Sequence, residues 1–320
     1  MFAFGPVPSR RLGRSLGINA LPPKVCTYAC VYCQLGRTNR LRTGRRVFQQ
    51  PDTVVAAVRE RIETAVRAGE RVDYLTVVPD GEPTLDVKLG RTIRALRSLR
   101  LPIAVITNGS LLDREDVRTD LAEADWVSIK VDAVRDDLWR RVDRPHGRLH
   151  LGAILDGMRA FAAGFAGRLV TETMLLADLN DGEAELRATA AFVAELSPTT
   201  AYLAVPIRPP AEPWVHPPTE AGITRAYEVF RAWHQHVELL VGDEGDAFSS
   251  TGHPCDDLLS ITAVHPMREE AVRRLVQRAH ADWDVVNELV RQGRLVPVVY
   301  GAQRYFVQPI KRPTRRGRDP

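Results

Sequence analysis

Apolar residues in this chain fall into short runs of two kinds. Continuous runs at 72–78 (VDYLTVV), 102–107 (PIAVIT), 126–131 (WVSIKV), 169–176 (LVTETMLL) and 201–206 (AYLAVP) have the length and β-branched content of buried parallel strands. A weaker run at 15–20 (SLGINA) predicts a first strand. Between them, apolar positions recur at helical spacing at about 52–68, 86–99, 113–122, 149–163, 182–196 and 218–237. In the first of these, Asp52 stands as N-cap, and Val54, Val55, Val58, Ile62 and Val66 share a face. Six β/α units in about 240 residues predict an α/β domain whose parallel sheet curls into a partial or complete barrel. In such sheets chemistry sits in the loops beyond the C-terminal strand ends.

After residue 240 the pattern changes. Residues 242–255 are polar and Gly-containing and read as a linker. Helical segments follow at about 256–264, 268–280 and 282–292, then strands at 295–300 (LVPVVY) and 303–308 (QRYFVQ), turned at Gly301-Ala302. Three helices and a hairpin over 256–310 form a winged-helix-like pattern. Residues 311–320 hold no apolar side chain and read as a disordered basic tail. The expected division is therefore a core domain at 1–241, the linker at 242–255, a small domain at 256–310 and the tail.

Composition excludes a disordered or fibrous chain: 26% of the residues are charged and 44% apolar. The net charge of +4 hides a segregation. Residues 1–50 carry Arg10, Arg11, Arg14, Lys24, Arg37, Arg40, Arg42, Arg45 and Arg46 and no Asp or Glu, so that segment is +9. The tail is +4, which leaves −9 for the 260 residues between. A coding bias for Arg over Lys does not explain fifty residues without a carboxylate. Met1 to Ser9 is too short for a signal-peptide core, and no run approaches 18 apolar residues. Four cysteines are too few for a disulfide scaffold, and three crowd into eight positions. That predicts metal or catalytic thiols in a reducing cytoplasm.

The cluster is Cys26-Thr-Tyr-Ala-Cys30-Val-Tyr32-Cys33. Three thiolates on one loop can each bind a different iron of one [4Fe–4S] cluster, leaving the fourth iron open to a substrate. A structural zinc site wants four closed ligands, and no fourth Cys or His lies nearby in sequence. Cys30 and Cys33 also satisfy the C-x-x-C spacing of a redox dithiol. Elsewhere, His234 and His236 are two apart on a predicted helix and face different ways. His253-Pro-Cys255 offers a weak second metal site.

C-x3-C-x-aromatic-C after a first strand, on a six-fold β/α pattern, resembles the radical S-adenosylmethionine (SAM) superfamily. Downstream positions strengthen the resemblance. Strand two ends in Val77-Val78-Pro79-Asp80-Gly81-Glu82-Pro83, strand three in Thr107-Asn108-Gly109, and strand four carries Ser128-Ile-Lys130-Val-Asp132. The resemblance implies that Cys26, Cys30 and Cys33 hold the cluster. It implies that Gly81, Glu82 and Pro83 serve the SAM amino nitrogen. Asn108, Ser128, Lys130 and Asp132 would take the ribose and carboxylate, and Tyr32 would lie against the adenine. From their place inside the fifth strand, Glu172 and Thr173 are expected to point into the barrel and approach SAM or substrate. The resemblance also implies reductive cleavage of SAM to a 5′-deoxyadenosyl radical that abstracts hydrogen from a substrate, and an electron donor such as flavodoxin or ferredoxin. Gly5-Pro-Val-Pro-Ser9-Arg10-Arg11-Leu-Gly-Arg14-Ser15-Leu-Gly17, with Gln34-Leu-Gly36-Arg37-Thr38, Arg144-Pro145-His146 and Arg208-Pro209-Pro210, is similar to the wyosine-synthetase-like iron–sulfur oxidoreductases. This subgroup brings in a tRNA base, or another RNA, as candidate substrate. True wyosine-base synthetases carry a second cluster on further N-terminal cysteines, and this chain departs from their pattern in having none.

Arg10, Arg11, Arg144 and Arg208 are candidate substrate contacts. Arg10, Arg11 and Arg14 are also expected near the thiolates, where positive charge would ease their deprotonation and the cluster's reduction. The rival reading is an iron–sulfur redox sensor that binds nucleic acid through the winged helix. Its recognition helix, 282–292, carries Asp282, Asp284 and Glu288 against Arg291, which argues against sequence-specific DNA binding. The small domain is expected instead to pack on the barrel, cover its open side, or bind a protein or RNA partner.

Overall fold

A computed structural model of the chain describes residues 2–38, 40–242, 248 and 250–309. The expected linker lies partly, and the basic tail wholly, outside the described residues.

The chain opens with a hairpin, β1 (Ala3–Ser9) and β2 (Gly13–Ile18), then two short strands, β3 (Val25–Cys26) and β4 (Arg40–Leu41). Next come α1 (Pro51–Arg67), β5 (Tyr74–Val77), α2 (Leu89–Leu96), β6 (Ile103–Thr107), α3 (Glu115–Leu121) and β7 (Trp126–Lys130). They are followed by α4 (Asp136–Val142), α5 (Leu151–Gly164), β8 (Arg168–Met174), α6 (Glu183–Glu195), β9 (Thr200–Ala204), α7 (Glu220–Trp233) and β10 (Val237–Leu240). The C-terminal part comprises α8 (Pro254–Thr262), β11 (Met267–Arg268), α9 (Glu269–Arg278), α10 (Asp284–Arg291), β12 (Val296–Tyr300) and β13 (Gln303–Val307).

One sheet runs β1-β2-β5-β6-β7-β8-β9-β10. Every neighbouring pair from β2 to β10 is parallel, while β1 is antiparallel to β2. Successive strands are neighbours, so the sheet curls into a half-barrel with β1 and β10 as its edges. Two strands were absent from the predicted six. β1 contains Gly5, Pro6 and Pro8, which a sheet tolerates at an edge. β10 is a four-residue run that periodicity merges with the preceding helix. The short helix α4 was also unforeseen.

Period-two alternation gives each strand two jobs. Leu75, Val77, Ile103, Val105, Val127 and Ile129 join the large core shared with the helices. Ala104, Trp126, Val170 and Tyr202 point the other way and, with Leu12 from the β1–β2 turn, plug the barrel floor. Burial on both faces is why these strands read as continuous apolar runs. In α1, Pro51 fixes the first turn and Gln50 is the cap, so Asp52 sits inside the helix. The buried stripe is Val54, Val58, Arg61 and Ala65, and Val66, expected on it, is 62% exposed.

The C-terminal helices surround a second core with Leu258, Ile261, Val272, Leu275, Val286 and Phe306. Their sheet runs β11-β13-β12, antiparallel throughout. This unit packs on the β1 edge of the half-barrel and reaches the loop after β9. Val7 of β1 packs on its core, and the buried Arg61 guanidinium lies 3.3 Å from Asp257 while also donating to the Gly5 carbonyl. Toward the other side of the sheet Tyr300 and Tyr305 donate to the carbonyls of Pro206 (3.0 Å) and Ile207 (2.8 Å), in the loop leaving β9. No helix among the described residues is long and apolar enough to cross a membrane.

Candidate active site

The loop leaving β2 carries the three cysteines, and its backbone is sewn to the loop leaving β5. The Lys24 N–H donates to the Asp80 carbonyl (2.8 Å) and the Glu82 N–H to the Val25 carbonyl (3.0 Å). This contact requires Gly81: a Cβ there would sit 2.0 Å from the Val25 oxygen. Glu82, only 1% exposed, accepts from the Thr84 N–H and hydroxyl, the Thr107 hydroxyl (2.6 Å) and the Asn108 N–H (2.8 Å). Its carboxylate therefore pins the ends of β5 and β6 together. Burial raises its pKa, and those donors oppose the rise. Pro83 opens the following buried 3-10 turn.

Each cysteine meets one polar group. Asn108 Nδ2 is 3.6 Å from Cys26 Sγ and 2.8 Å from the Thr27 hydroxyl. Lys24 Nζ is 3.3 Å from Cys33 Sγ, and Cys30 Sγ is 3.4 Å from an Asp143 oxygen. Burial pushes the Cys26 thiol up to about 12, with Glu82 adding to it, and burial followed by Asp143 pushes Cys30 up. For Lys24, burial opposes the charge, but Cys33 and Asp80 outweigh it and raise the pKa. Among the described residues no three metal-ligating side chains converge on a point for a single ion. A cubane asks for another arrangement, since each thiolate takes its own iron.

Beside the loop, β7 and β8 present a charged ladder. Tyr32 donates to Asp132, whose other oxygen accepts from the Met174 N–H at 2.7 Å. Lys130 Nζ lies 4.8 Å from the Tyr32 ring centroid, 3.6 Å from Asp132 and 3.0 Å from Glu172. Burial works against the Lys130 charge, but Asp132 and Glu172 hold its pKa above the ordinary lysine value. Glu172 also binds Arg11. Ser128 lies two residues before Lys130 on the same face, and its buried hydroxyl has no partner.

The structure thus brings Tyr32, Gly81, Glu82, Pro83, Asn108, Lys130 and Asp132 around the cysteine loop, with Ser128 one step further along the Lys130 face of β7. Thr173 is not among them. It is buried on the opposite face of β8 from Glu172 and donates to the Val131 carbonyl at 2.7 Å. The pleat decides this, because neighbours in a strand point apart. The arginines expected near the thiolates are elsewhere too. Arg10 donates to the carbonyls of Val241 (3.0 Å) and Gly242, Arg11 reaches Glu172 across the barrel floor, and Arg14 pairs with Glu70. Arg10 and Arg11 precede β2 and Arg14 stands at its start, whereas the cysteines follow it, and six residues of strand separate the two ends by about 20 Å. Arg144 is taken by Glu212, which also holds Arg37. Arg208 contacts Gln34 (2.8 Å) and His265 (2.6 Å). Sequence reasoning missed Thr27, a variable position inside the cysteine motif that meets Asn108, and Asp143, which is more than a hundred residues away in sequence and reaches Cys30 only through the fold.

The donor set fits an iron–sulfur cluster with SAM. It offers three thiols on one loop, Lys24 and Asn108 aimed at sulfur, and an unpartnered hydroxyl at Ser128 next to a buried ammonium. Comparison agrees. The family model described as "Radical SAM superfamily" matches residues 21–190. The UPF0026 protein MJ1312 of Methanocaldococcus jannaschii is 44% identical over 97% of this chain and 96% of its own length. The UPF0026 protein slr1464 of Synechocystis is 37% identical over 54% of this chain and 64% of its own. Among solved structures, TYW1 with a lysine-pyruvate adduct bound gives a TM-score of 0.52 at 15% identity, covering 69% of this chain and 74% of that one. A radical SAM methyltransferase from Sphaerobacter thermophilus gives 0.51 at 20% identity, covering 70% and 66%. At such identities the solved structures show the fold alone. The family implies a [4Fe–4S] cluster and SAM, and the cysteines for it are present. The chain is an enzyme of the radical SAM superfamily and belongs, with MJ1312, among the UPF0026 proteins.

Proposed function

We propose that Cys26, Cys30 and Cys33 hold one cluster whose fourth iron takes SAM, and that the enzyme abstracts hydrogen from an anionic substrate. The observation that carries this is the pairing of each thiol with one polar group of the chain, beside the unpartnered Ser128 hydroxyl. When bound, the cluster and SAM together supply reductive cleavage of SAM to a hydrogen-abstracting radical. The protein supplies position and polarity. Lys24 and Asn108 direct donors at sulfur, which disperses negative charge there. The Glu82 carboxylate is consumed in holding its loop, leaving that loop's backbone oxygens for the SAM amino group. Lys130, held upright by Asp132 and Glu172, offers its charge to the SAM carboxylate, and Ser128 offers its hydroxyl. Tyr32, fixed by Asp132, presents its ring to the adenine. An acidic protein such as flavodoxin or ferredoxin would supply the electron.

The finer grouping with wyosine-synthetase-like oxidoreductases rests on the N-terminal motifs. A tRNA base as substrate has its support in the basic stretch from Arg37 to Arg46. Residues 256–310 read as a winged-helix-like domain set on a core domain of residues 1–241. The DNA-binding regulator has less support, because Arg291 of α10 is itself paired with Glu288.

Anaerobic reconstitution with iron, sulfide, reductant and SAM tests the proposal. 5′-Deoxyadenosine should form and should vanish in Cys30→Ala. An intact cluster that leaves SAM uncleaved would refute it.

A further inference from the structure

The nine cations of the first fifty residues are employed unequally. Arg11, Arg14, Arg37 and Arg45 meet carboxylates, Arg10 caps backbone carbonyls, and Lys24 faces Cys33. Among the described residues Arg40, Arg42 and Arg46 have no carboxylate partner; Arg46 lies over the Phe48 ring. All three open on one cleft of about 950 Å³ between the cysteine loop, the loop after β9 and the C-terminal unit. Arg294, between α10 and β12 and likewise without a carboxylate partner, enters from the far wall. Arg42 Nε is buried with no acceptor. A buried donor left in that state costs free energy that a ligand oxygen would recover.

The rest of the wall narrows the ligand. Among the described residues Asp80 is the only carboxylate along the cleft, and Lys24 stands beside it. Val25, Leu35, Leu259, Val296, Val298 and Val307 give the lining an aliphatic stretch, beside the neutral polar side chains Asn19, Gln34, Thr262 and Gln308. Among the described residues no aromatic side chain lines it, so nucleic-acid bases find nothing there to stack on. The volume is that of a small-molecule pocket, roughly 300–1,000 Å³. Guanidinium forks match phosphate oxygens two at a time.

We propose that this cleft binds a small phosphorylated molecule with an aliphatic body, its phosphate on Arg40, Arg42, Arg46 and Arg294 and its chain along the valines of β12 and β13. Lys24 borders both the cleft and Cys33, so the ligand lies on the flank of the cysteine loop. Naming that ligand the substrate rests on the radical SAM reading; the cleft's preference for it does not.

Calorimetric titration of the reconstituted full-length protein with octyl phosphate, inorganic phosphate and a single-stranded RNA oligonucleotide tests the assignment. Octyl phosphate should bind at least about tenfold more tightly than inorganic phosphate, because the chain is buried. Arg42→Gln and Arg294→Gln should each weaken it about tenfold, the loss of one charge-assisted hydrogen bond. Arg294 is exposed, so its replacement tests the idea without risk to the fold. Val298→Asp should weaken octyl phosphate and leave inorganic phosphate unchanged. Absence of binding, or affinity indifferent to Arg294, overturns the proposal. RNA bound more tightly through the same arginines overturns it in favour of a polynucleotide. 5′-Deoxyadenosine is measured on the same preparation. Binding without SAM cleavage refutes the radical reading and spares the cleft, and cleavage without binding does the reverse.

Discussion

The Lys24 ammonium stands 3.3 Å from the Cys33 sulfur, on the residue two before the first cysteine of the loop. An ammonium there stabilises a thiolate and whatever negative charge its iron gains. Lys24→Met should make the reconstituted cluster about tenfold more easily stripped by a chelator, at the lower end of the range for groups that support metal ligands. Iron released against time in EDTA checks this. Arg10→Gln, a change at the other end of β2, is the comparison and should release iron at the wild-type rate.

Ser128 separates binding from stability. Its hydroxyl is buried and unpartnered, so Ser128→Ala should leave the melting temperature of the cluster-free protein unchanged or slightly raised. The same change should weaken SAM about tenfold, one hydrogen bond's worth. Equilibrium dialysis with labelled SAM and a thermal melt on one preparation decide it.

Glu82 should behave oppositely. Glu82→Gln turns one acceptor into a donor facing either the Thr84 and Thr107 donors or the Asn108 N–H. The expected cost is about 1–3 kcal/mol of folding stability. Denaturant unfolding measures it, with weaker SAM binding following from the loosened loop.

Asp257 ties the C-terminal unit to the barrel. Asp257→Ala leaves the buried Arg61 guanidinium without its carboxylate, at about 3–5 kcal/mol. A fall in melting temperature with early proteolytic release of the C-terminal part is expected. Replacing both Arg61 and Asp257 with apolar residues should recover most of the loss.

Asp80 makes stability pH-dependent. Burial raises its pKa to about 6 against the pull of Lys24. The folded state therefore binds its proton more tightly than the unfolded state. Stability should fall as pH rises from about 4 to about 6, by up to about 3 kcal/mol. Asp80→Asn should melt higher than wild type above pH 6 and alike near pH 4.

The strands β5 to β9 and most of the helices between them were legible because burial on both faces leaves uninterrupted β-branched runs. The cysteine spacing and the polar strand ends were legible because each is a local pattern. β10 was hidden since four residues cannot declare a period, and β1 since its prolines are acceptable only at an edge. Thr173 was misplaced because which of two neighbours faces inward depends on register. By itself the sequence determined a β/α chain with three cluster thiols and an uneven distribution of charge. Only the tertiary structure decided which charges matter. The strand carries Arg10, Arg11 and Arg14 away from the thiols, Glu212 of the loop after β9 neutralises Arg37 and carboxylates of α3 neutralise Arg45, and packing of the C-terminal unit gathers Arg294 with Arg40, Arg42 and Arg46. Electrostatic partners are set by distance in space, and that distance exists only once the chain has folded.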